Sequence, residues 1–300
     1  MNSITYLILL YNQEKNLPDL VKSLQDITGS FRKEYIIIDD CSTDNSLLSA
    51  RRLFASFPRT SIISNNEYKG SAYSLNLGIK LASSEYIHFV DGGDILASNS
   101  TAKLLKALHA MGTDVACSLH GTLSKIDNHK VDNIDTTGDI ILVESPIKEL
   151  LDNRKVTDIR YIGYSGTLVS SYLLEKISGA DEDAFLHNMS LGLRCGKYSK
   201  FAFVKETLYY TTNPIEKRYD KDFLVYNSLI AIANFIEDHR EISEQYKPEI
   251  YKALWSSLWY LGKFKTQTLP KYLLSRYIRH NLDLDMLIEL YRGYITRLEK

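Results

Sequence analysis

Tyr35-Ile36-Ile37-Ile38-Asp39-Asp40-Cys41-Ser42-Thr43-Asp44-Asn45-Ser46 carries the decisive pattern in this 300-residue chain. Tyr35 to Ile38 form an apolar run of the length and β-branched character of a strand buried on both faces. A polar turn with two adjacent acids follows at once. A helix is then expected from about Ser46 to Phe57, ended by Pro58. The unit recurs on either side. Ile4–Leu10 is another apolar run, and Asn16-Leu17-Pro18 opens a segment with Leu17, Leu20, Val21 and Leu24 at helical spacing. Ser61–Ser64 reads as a third strand before a small-residue helix, Ser71–Ser83. Tyr86–Val90 is a fourth, ending at Asp91-Gly92-Gly93-Asp94 ahead of a helix from Thr101 to Met111. This alternation predicts an α/β fold whose mostly parallel sheet is covered on both faces, with ligands bound beyond the carboxyl ends of its strands.

Composition agrees with a soluble globular chain. Hydrophobic residues make up 44% and charged residues 24%, with a net charge of −1. That balance argues against a surface built to hold nucleic acid. The 15 glycines and 6 prolines are too few for a disordered or linker-dominated chain. Cys41, Cys117 and Cys195 are widely spaced and odd in number, which suits a reducing cytosol. No apolar run approaches the roughly 20 residues of a membrane span, so a cytoplasmic protein is expected. Tyrosine is abundant, with 21 residues, 15 of them at or after Tyr161.

Further along, Lys125 to Asp139 reads as a polar loop or hairpin, and short helices are expected over Ser145–Asn153 and Ser170–Ile177. From Pro214 the character changes. Asp220–His239, Tyr246–Phe264, Pro270–His280 and Leu282–Glu299 all show helical spacing. The expected division is a domain over 1–213, in halves 1–115 and 116–213, and a helical appendage over 214–300.

Both acidic strand ends should emerge on the same sheet edge, where carboxylates can bind a hydroxyl, an imide N–H or a divalent cation. Asp44 by itself reads as a helix-start residue. Neither GxGxxG nor GxxxxGK[ST] occurs, which argues against a dehydrogenase or a P-loop NTPase.

Leu7 to Leu17, with Tyr11-Asn12-Gln13-Glu14-Lys15, resembles the opening strand and turn of the family 2 glycosyltransferases. Ile38 to Ser46 is similar to their second-strand "VDDxSxDxS" turn, and Asn66 to Gly78 to their "NxGxxxARNxG" helix. Ala82 to Asp91 resembles the approach to their "DxD" motif. Four such pieces stand in family order over the first 100 residues.

The resemblance implies a GT-A fold, with 1–115 as the nucleotide-sugar-binding half and 116–213 as the acceptor half. It implies Tyr11 against the nucleobase, Asp40 or Asp39 accepting the uracil N–H, Asn12 and Glu14 lining the same pocket, and Lys69 facing the phosphates. It places Asp91 and Asp94 at a Mn²⁺ or Mg²⁺ ion, but Gly93 stands where the family commonly has its direct metal ligand. Leu75 and Leu9 likewise replace an expected arginine and proline. The ion would then use Asp94 or Asp91, or a cationic side chain would do part of its work.

In Ala180-Asp181-Glu182-Asp183-Ala184-Phe185 the resemblance points to Asp183 as general base for inverting transfer, with Asp181 and Glu182 as neighbouring alternatives. A helix N-terminus explains the same acids. The implied activity is transfer from a nucleotide sugar, UDP-linked by analogy, to a glycan on lipid or protein bound for a cell surface. The rival readings are a catalytically silent member serving as nucleotide-sugar-binding scaffold and, more distantly, an unrelated α/β nucleotide-binding enzyme.

Between Ile250 and Leu282 the chain has no acid. Trp255, Trp259, Tyr260, Tyr272 and Tyr277 there interleave with Lys252, Lys263, Lys265, Lys271, Arg276 and Arg279. This is a core stripe with a basic outer face, a surface for peripheral contact at the inner face of an anionic membrane, or a homodimer face.

Overall fold

The computed structural model describes residues 1–122, 139–152, 164–212, 220–265 and 283–298, without the side chains at 221, 255, 258–265, 294 and 297–298. In chain order the strands are β1 (Ser3–Leu10), β2 (Arg32–Asp39), β3 (Thr60–Ser64), β4 (Tyr86–Asp91), β5 (Asp94–Leu96), β6 (Val115–Thr122), β7 (Ile140–Val143), β8 (Thr167–Ser170) and β9 (Phe201–Thr211). The helices are α1 (Leu17–Gln25), α2 (Ser46–Leu53), α3 (Ser71–Leu81), α4 (Ser100–Met111), α5 (Pro146–Leu151), α6 (Ser171–Lys176), α7 (His187–Tyr198), α8 (Lys221–Asp238), α9 (Arg240–Gln245), α10 (Lys247–Lys265) and α11 (Leu284–Leu298).

Side-chain alternation along the first strands explains the layering. Leu7, Ile36, Ile38, Ile87 and Phe89 point to one face of the sheet, where they meet residues of α3, α6 and α7. Ile4, Tyr6, Ile8, Leu10, Tyr35 and Ile37 point to the other, against α1, α2 and α4. A strand apolar at every position is what a sheet covered on both faces demands. Each such side chain removed from water contributes roughly 1.5–3 kcal/mol.

The strand order is β3-β2-β1-β4-β8-β6-β9-β5, with β7 also paired to β9. β1 runs parallel to both β2 and β4, and β2 to β3, as the alternating pattern predicts. Beyond β4 the sheet continues through antiparallel β8, and β6 and β9 are parallel to each other. β5 and β7 are antiparallel to β9.

Helix α2 stops at Leu53, short of the expected Phe57. Phe54 and Phe57 turn inward instead, and Phe57 meets the Tyr35 ring edge-on at 4.9 Å. Burying the Phe54 ring and packing the half-buried Phe57 on Tyr35 outweighs one more helical turn.

The C-terminal helices pack on the sheet's helical layer. Leu229, Ile232, Ile236, Ile250, Leu287 and Tyr291 belong to the same buried cluster as Leu7 and Phe89. Pro270–His280, with Lys271, Tyr272, Arg276, Tyr277 and Arg279, lies outside the described residues, as do the side chains of Trp255, Trp259, Tyr260, Lys263 and Lys265. So does almost all of the polar stretch from Lys125. Among the described residues no helix is long and apolar enough to cross a membrane, and the three cysteines are free.

Candidate functional site

The registers bring both acid clusters to one edge. Leu10 pairs with Asp39 and Leu9 pairs with Asp91. Just past these strand ends, Asn12 and Cys41 adopt left-handed backbone conformations, with φ of 52° and 61°. Such conformations are uncommon without glycine and are held here by the surroundings.

Two turns are stitched into one rim. The Asn12 N–H donates to Ser42 Oγ at 3.0 Å, and Asn12 Oδ1 accepts from the Thr43 N–H at 2.8 Å. The Glu14 carboxylate accepts from the Asn45 N–H at 3.3 Å and from Asn45 Nδ2 at 3.0 Å. Asn12 and Glu14 thus direct their side-chain oxygens at the second turn. Asp44 accepts from the Ser46 N–H at 2.9 Å and from the Glu14 N–H at 3.2 Å. Partial burial raises the Asp44 pKa, but the Ser46 and Glu14 donors outweigh it and hold the carboxyl below its ordinary range. Asp44 closes the start of α2, the role its position predicts.

Asp39 and Asp40 are adjacent, buried and differently committed. Asp40 Oδ1 accepts from Asn65 Nδ2 at 2.8 Å and from the Lys69 N–H at 2.9 Å, while its Oδ2 accepts from the Gly70 N–H at 2.8 Å. Asp40 therefore anchors the loop leading into α3 with both oxygens. Asp39 Oδ2 accepts from Ser64 Oγ at 2.9 Å and from the Ser42 N–H at 3.3 Å. Its Oδ1 is buried and accepts no hydrogen bond among the described residues. A buried carboxylate oxygen with no donor is costly, about 1–3 kcal/mol.

Tyr11 stands beside this oxygen's strand end, 38% exposed. Its ring stacks on Tyr68 at 4.3 Å between centroids, and Tyr68 meets Phe185 edge-on at 5.2 Å. Lys69 Nζ pairs with Glu67, which raises the lysine pKa, and lies 5.7 Å from the centre of the Tyr73 ring.

The Asp91–Asp94 turn is tied down by Ser165. The Asp91 N–H donates to Ser165 Oγ at 2.9 Å, and the Ser165 hydroxyl donates to Asp94 Oδ2 at 2.6 Å. Asp94 is 3% exposed. Behind Ser165 lies a directional chain. The Ser165 carbonyl accepts from His88 Nε2 at 2.8 Å, so His88 Nδ1, 2.9 Å from Thr101 Oγ1, is the accepting nitrogen. The Tyr6 hydroxyl then donates to Thr101 Oγ1 at 2.8 Å. Burial lowers the His88 pKa to about 4, which keeps this imidazole neutral.

A divalent ion held as the resemblance implies would need carboxylates converging here. Among the described residues no three His, Cys, Asp or Glu side chains converge on one point. Asp94 is buried against Ser165, and Gly93 offers no side chain. Asp91 Oδ1 accepts from the Gly93 N–H at 3.1 Å. These residues do not make a chelating set.

The acid loop lies against the middle of α3, where Asn76 reaches it. Asp181 is 9% exposed, while Glu182 and Asp183 are exposed. Asp181 Oδ2 accepts from Asn234 Nδ2 at 2.6 Å, its Oδ1 from the Asp183 N–H at 3.1 Å, and its own N–H donates to Ser190 Oγ at 3.2 Å. Glu182 accepts from Asn76 Nδ2 at 2.9 Å. Of the three acids, Asp183 is exposed and accepts no side-chain hydrogen bond among the described residues. His187, four positions on, turns inward to Ser71 Oγ at 2.9 Å.

Sequence reading misses several residues that build this site. Asn76 also grips the Ala180 N–H and carbonyl, both at 2.8 Å, although its place in the Asn76-Leu77-Gly78 motif marks it. Asn227 holds the Leu186 N–H at 2.8 Å. Ser165, Asn234 and Arg292 carry no local signal at all.

The site can now be set beside known proteins. A family model described as Glycosyl transferase family 2 matches residues 5–177. Glycosyltransferase GlyG of Streptococcus pneumoniae is 26% identical over 216 residues, covering 69% of this chain and 69% of that protein. The minor teichoic acid biosynthesis protein GgaB of Bacillus subtilis is 22% identical over 205 residues, 67% of this chain and 22% of GgaB. The crystal structure of S. aureus TarS 1-349 in complex with UDP-GlcNAc superposes with a TM-score of 0.57 at 16% identity, covering 97% of this chain and 91% of that one. Mannosyltransferase PcManGT from Pyrobaculum calidifontis, in complex with GDP-Man and Mn²⁺, gives 0.56 at 14% identity over 99% and 84%. At such identities the structural likeness concerns the fold.

Proposed function

This chain belongs to glycosyl transferase family 2, and from that premise we propose that it transfers a sugar from a nucleotide-sugar donor to a glycan acceptor, with inversion at the anomeric carbon. The donor is a UDP-sugar, and the acceptor is a glycan carried on lipid or protein in cell-surface synthesis. GgaB's name places that relative in teichoic acid synthesis, and the TarS structure holds UDP-GlcNAc.

One observation carries the donor reading. Among the described residues Asp39 Oδ1 is buried at the sheet edge without a donor, where a uracil imide N–H would satisfy it. Tyr11 offers its ring to the base, and Asp91, on the other side of β1 from Asp39, is placed to accept from the ribose hydroxyls. Asn12 and Glu14 shape the rim by holding the second turn. Asp183 takes the proton from the acceptor hydroxyl as that oxygen forms its bond to the anomeric carbon. The bond from that carbon to the diphosphate oxygen breaks, and the nucleoside diphosphate leaves with the electron pair. Asp181 and Glu182 support this reading by being engaged elsewhere.

A second reading, a silent member that binds a nucleotide sugar without transferring it, draws on Gly93. Calorimetry with UDP and UDP-sugars tests the donor assignment. Binding is expected, weakened about tenfold or more by Asp39→Ala. Absence of binding overturns it. Binding without transfer or donor hydrolysis selects the silent reading.

A further inference from the structure

We infer that Gln13 takes the place of the missing third acid, so that the donor diphosphate is met in this chain by the Gln13 side-chain amide without a chelated divalent cation. The inference rests on the donor reading above and deepens it.

Gly93 and Gln13 fit each other. A Cβ built on Gly93 would lie 2.7 Å from Gln13 Oε1, 3.1 Å from its Cδ and 3.3 Å from its Nε2. Any side chain at 93 therefore needs the space that the Gln13 carboxamide fills. The backbone cannot retreat to make room. The Gly93 carbonyl accepts from Thr212 Oγ1 at 2.8 Å, its N–H donates to Asp91 Oδ1, and Asp94 pairs with Thr211 across the sheet. On the other side Gly92 is pressed on β1, since a Cβ there would lie 3.1 Å from the Leu9 carbonyl oxygen and 2.8 Å from Leu10 Cδ1.

Gln13 is also held. It is 4% exposed, its N–H donates to Ser46 Oγ at 2.7 Å, and its Oε1 accepts from Asn16 Nδ2 at 2.8 Å. With Oε1 so engaged, Nε2 is left as the donor of the carboxamide, and among the described residues it donates no hydrogen bond. A preorganised amide donor suits a developing diphosphate charge, because it is already oriented when the charge appears. A simple space-filling role would leave that donor without use.

Calorimetry of UDP and GDP binding, in EDTA and in Mn²⁺, provides the test. For the natural chain the affinity for UDP is expected to agree within about twofold in the two buffers. Gln13→Ala is expected to weaken UDP about tenfold while leaving uridine unchanged, a distinction that a packing defect would not make. The double variant Gln13→Ala/Gly93→Asp is expected to gain a Mn²⁺-dependent affinity for UDP. A natural chain that binds UDP or GDP about tenfold more tightly in Mn²⁺ overturns the inference and leaves the donor reading standing. Equal losses for UDP and uridine in Gln13→Ala also overturn it. If neither nucleotide binds in either buffer, the donor reading falls, and this inference with it. Should the double variant fail to fold, the buffer comparison on the natural chain still decides.

Discussion

Asn234 Nδ2 lies 2.6 Å from Asp181 Oδ2, so a helix from the last third of the chain holds the loop that carries Asp183. Arg292 of α11 continues the link, donating to Asn234 Oδ1 at 2.6 Å and to the Glu237 carboxylate at 2.8 and 3.0 Å. Glu237 is the main partner that raises the arginine pKa, and Asp183 and Asp181 add attraction. Helices α8 and α11 are thereby tied to the loop that carries the proposed base. Asn234→Leu removes the donor to a buried carboxylate and should lower unfolding free energy by about 1–3 kcal/mol. Donor hydrolysis or transfer should fall more than UDP affinity does. Equal stability in urea titrations of the two proteins would contradict this linkage.

Asp183→Asn should abolish transfer while UDP affinity stays within about twofold, since among the described residues the Asp183 carboxylate makes no hydrogen bond to the base-side rim. Asp181→Asn, in contrast, should show its effect first in thermal unfolding. Undiminished turnover in Asp183→Asn would remove it as the base.

Tyr68 covers one face of the Tyr11 ring, which is proposed to meet the nucleobase. If the stacked pair must open for the donor, Tyr68→Ala should tighten UDP binding by about threefold to tenfold, the equivalent of one aromatic pair. Weaker binding in this variant would show that Tyr68 holds the base itself.

His88 predicts a pH dependence of stability. Its pKa in the folded chain is lowered to about 4 by burial, against about 6.5 when unfolded. Between those values the unfolded chain binds the extra proton. The contribution is therefore complete above about pH 6.5 and is lost as pH falls toward 4, by about 2 kcal/mol at pH 5. Urea midpoints at pH 7 and pH 5 should differ more for the natural chain than for His88→Asn. Parallel slopes would contradict the assignment.

Gly78→Ala sets helix propensity against packing. Alanine is favoured over glycine in a helix by about 1 kcal/mol. Its Cβ, however, would lie 2.0 Å from Leu7 Cδ1 in the buried sheet. Overpacking of that kind costs about 1–3 kcal/mol, so net destabilisation is expected in thermal unfolding. A stabilised variant would mean that β1 and α3 can separate.

How far the sequence reaches depends on where each contact is made. The four parallel strands, their helices and the edge to which Asp39, Asp40, Asp91 and Tyr11 are brought follow from local pattern. A continuous apolar run must be buried on both faces, and a polar turn at its end must come to the rim. The later strands β6, β8 and β9 are legible only after folding. Ser118, His120, Thr167 and Thr207 break their apolar runs, and their pairing is between distant segments. Choices between neighbouring acids are likewise tertiary. Asp39 differs from Asp40, and Asp183 from Asp181, through the donors that reach them. Those donors come from residues 65–70 and from Asn234, far off in the chain. The sequence by itself could name Gly93 as a missing ligand. The fold alone placed the Gln13 carboxamide in the gap, because close packing lets one side chain occupy the space that another has given up.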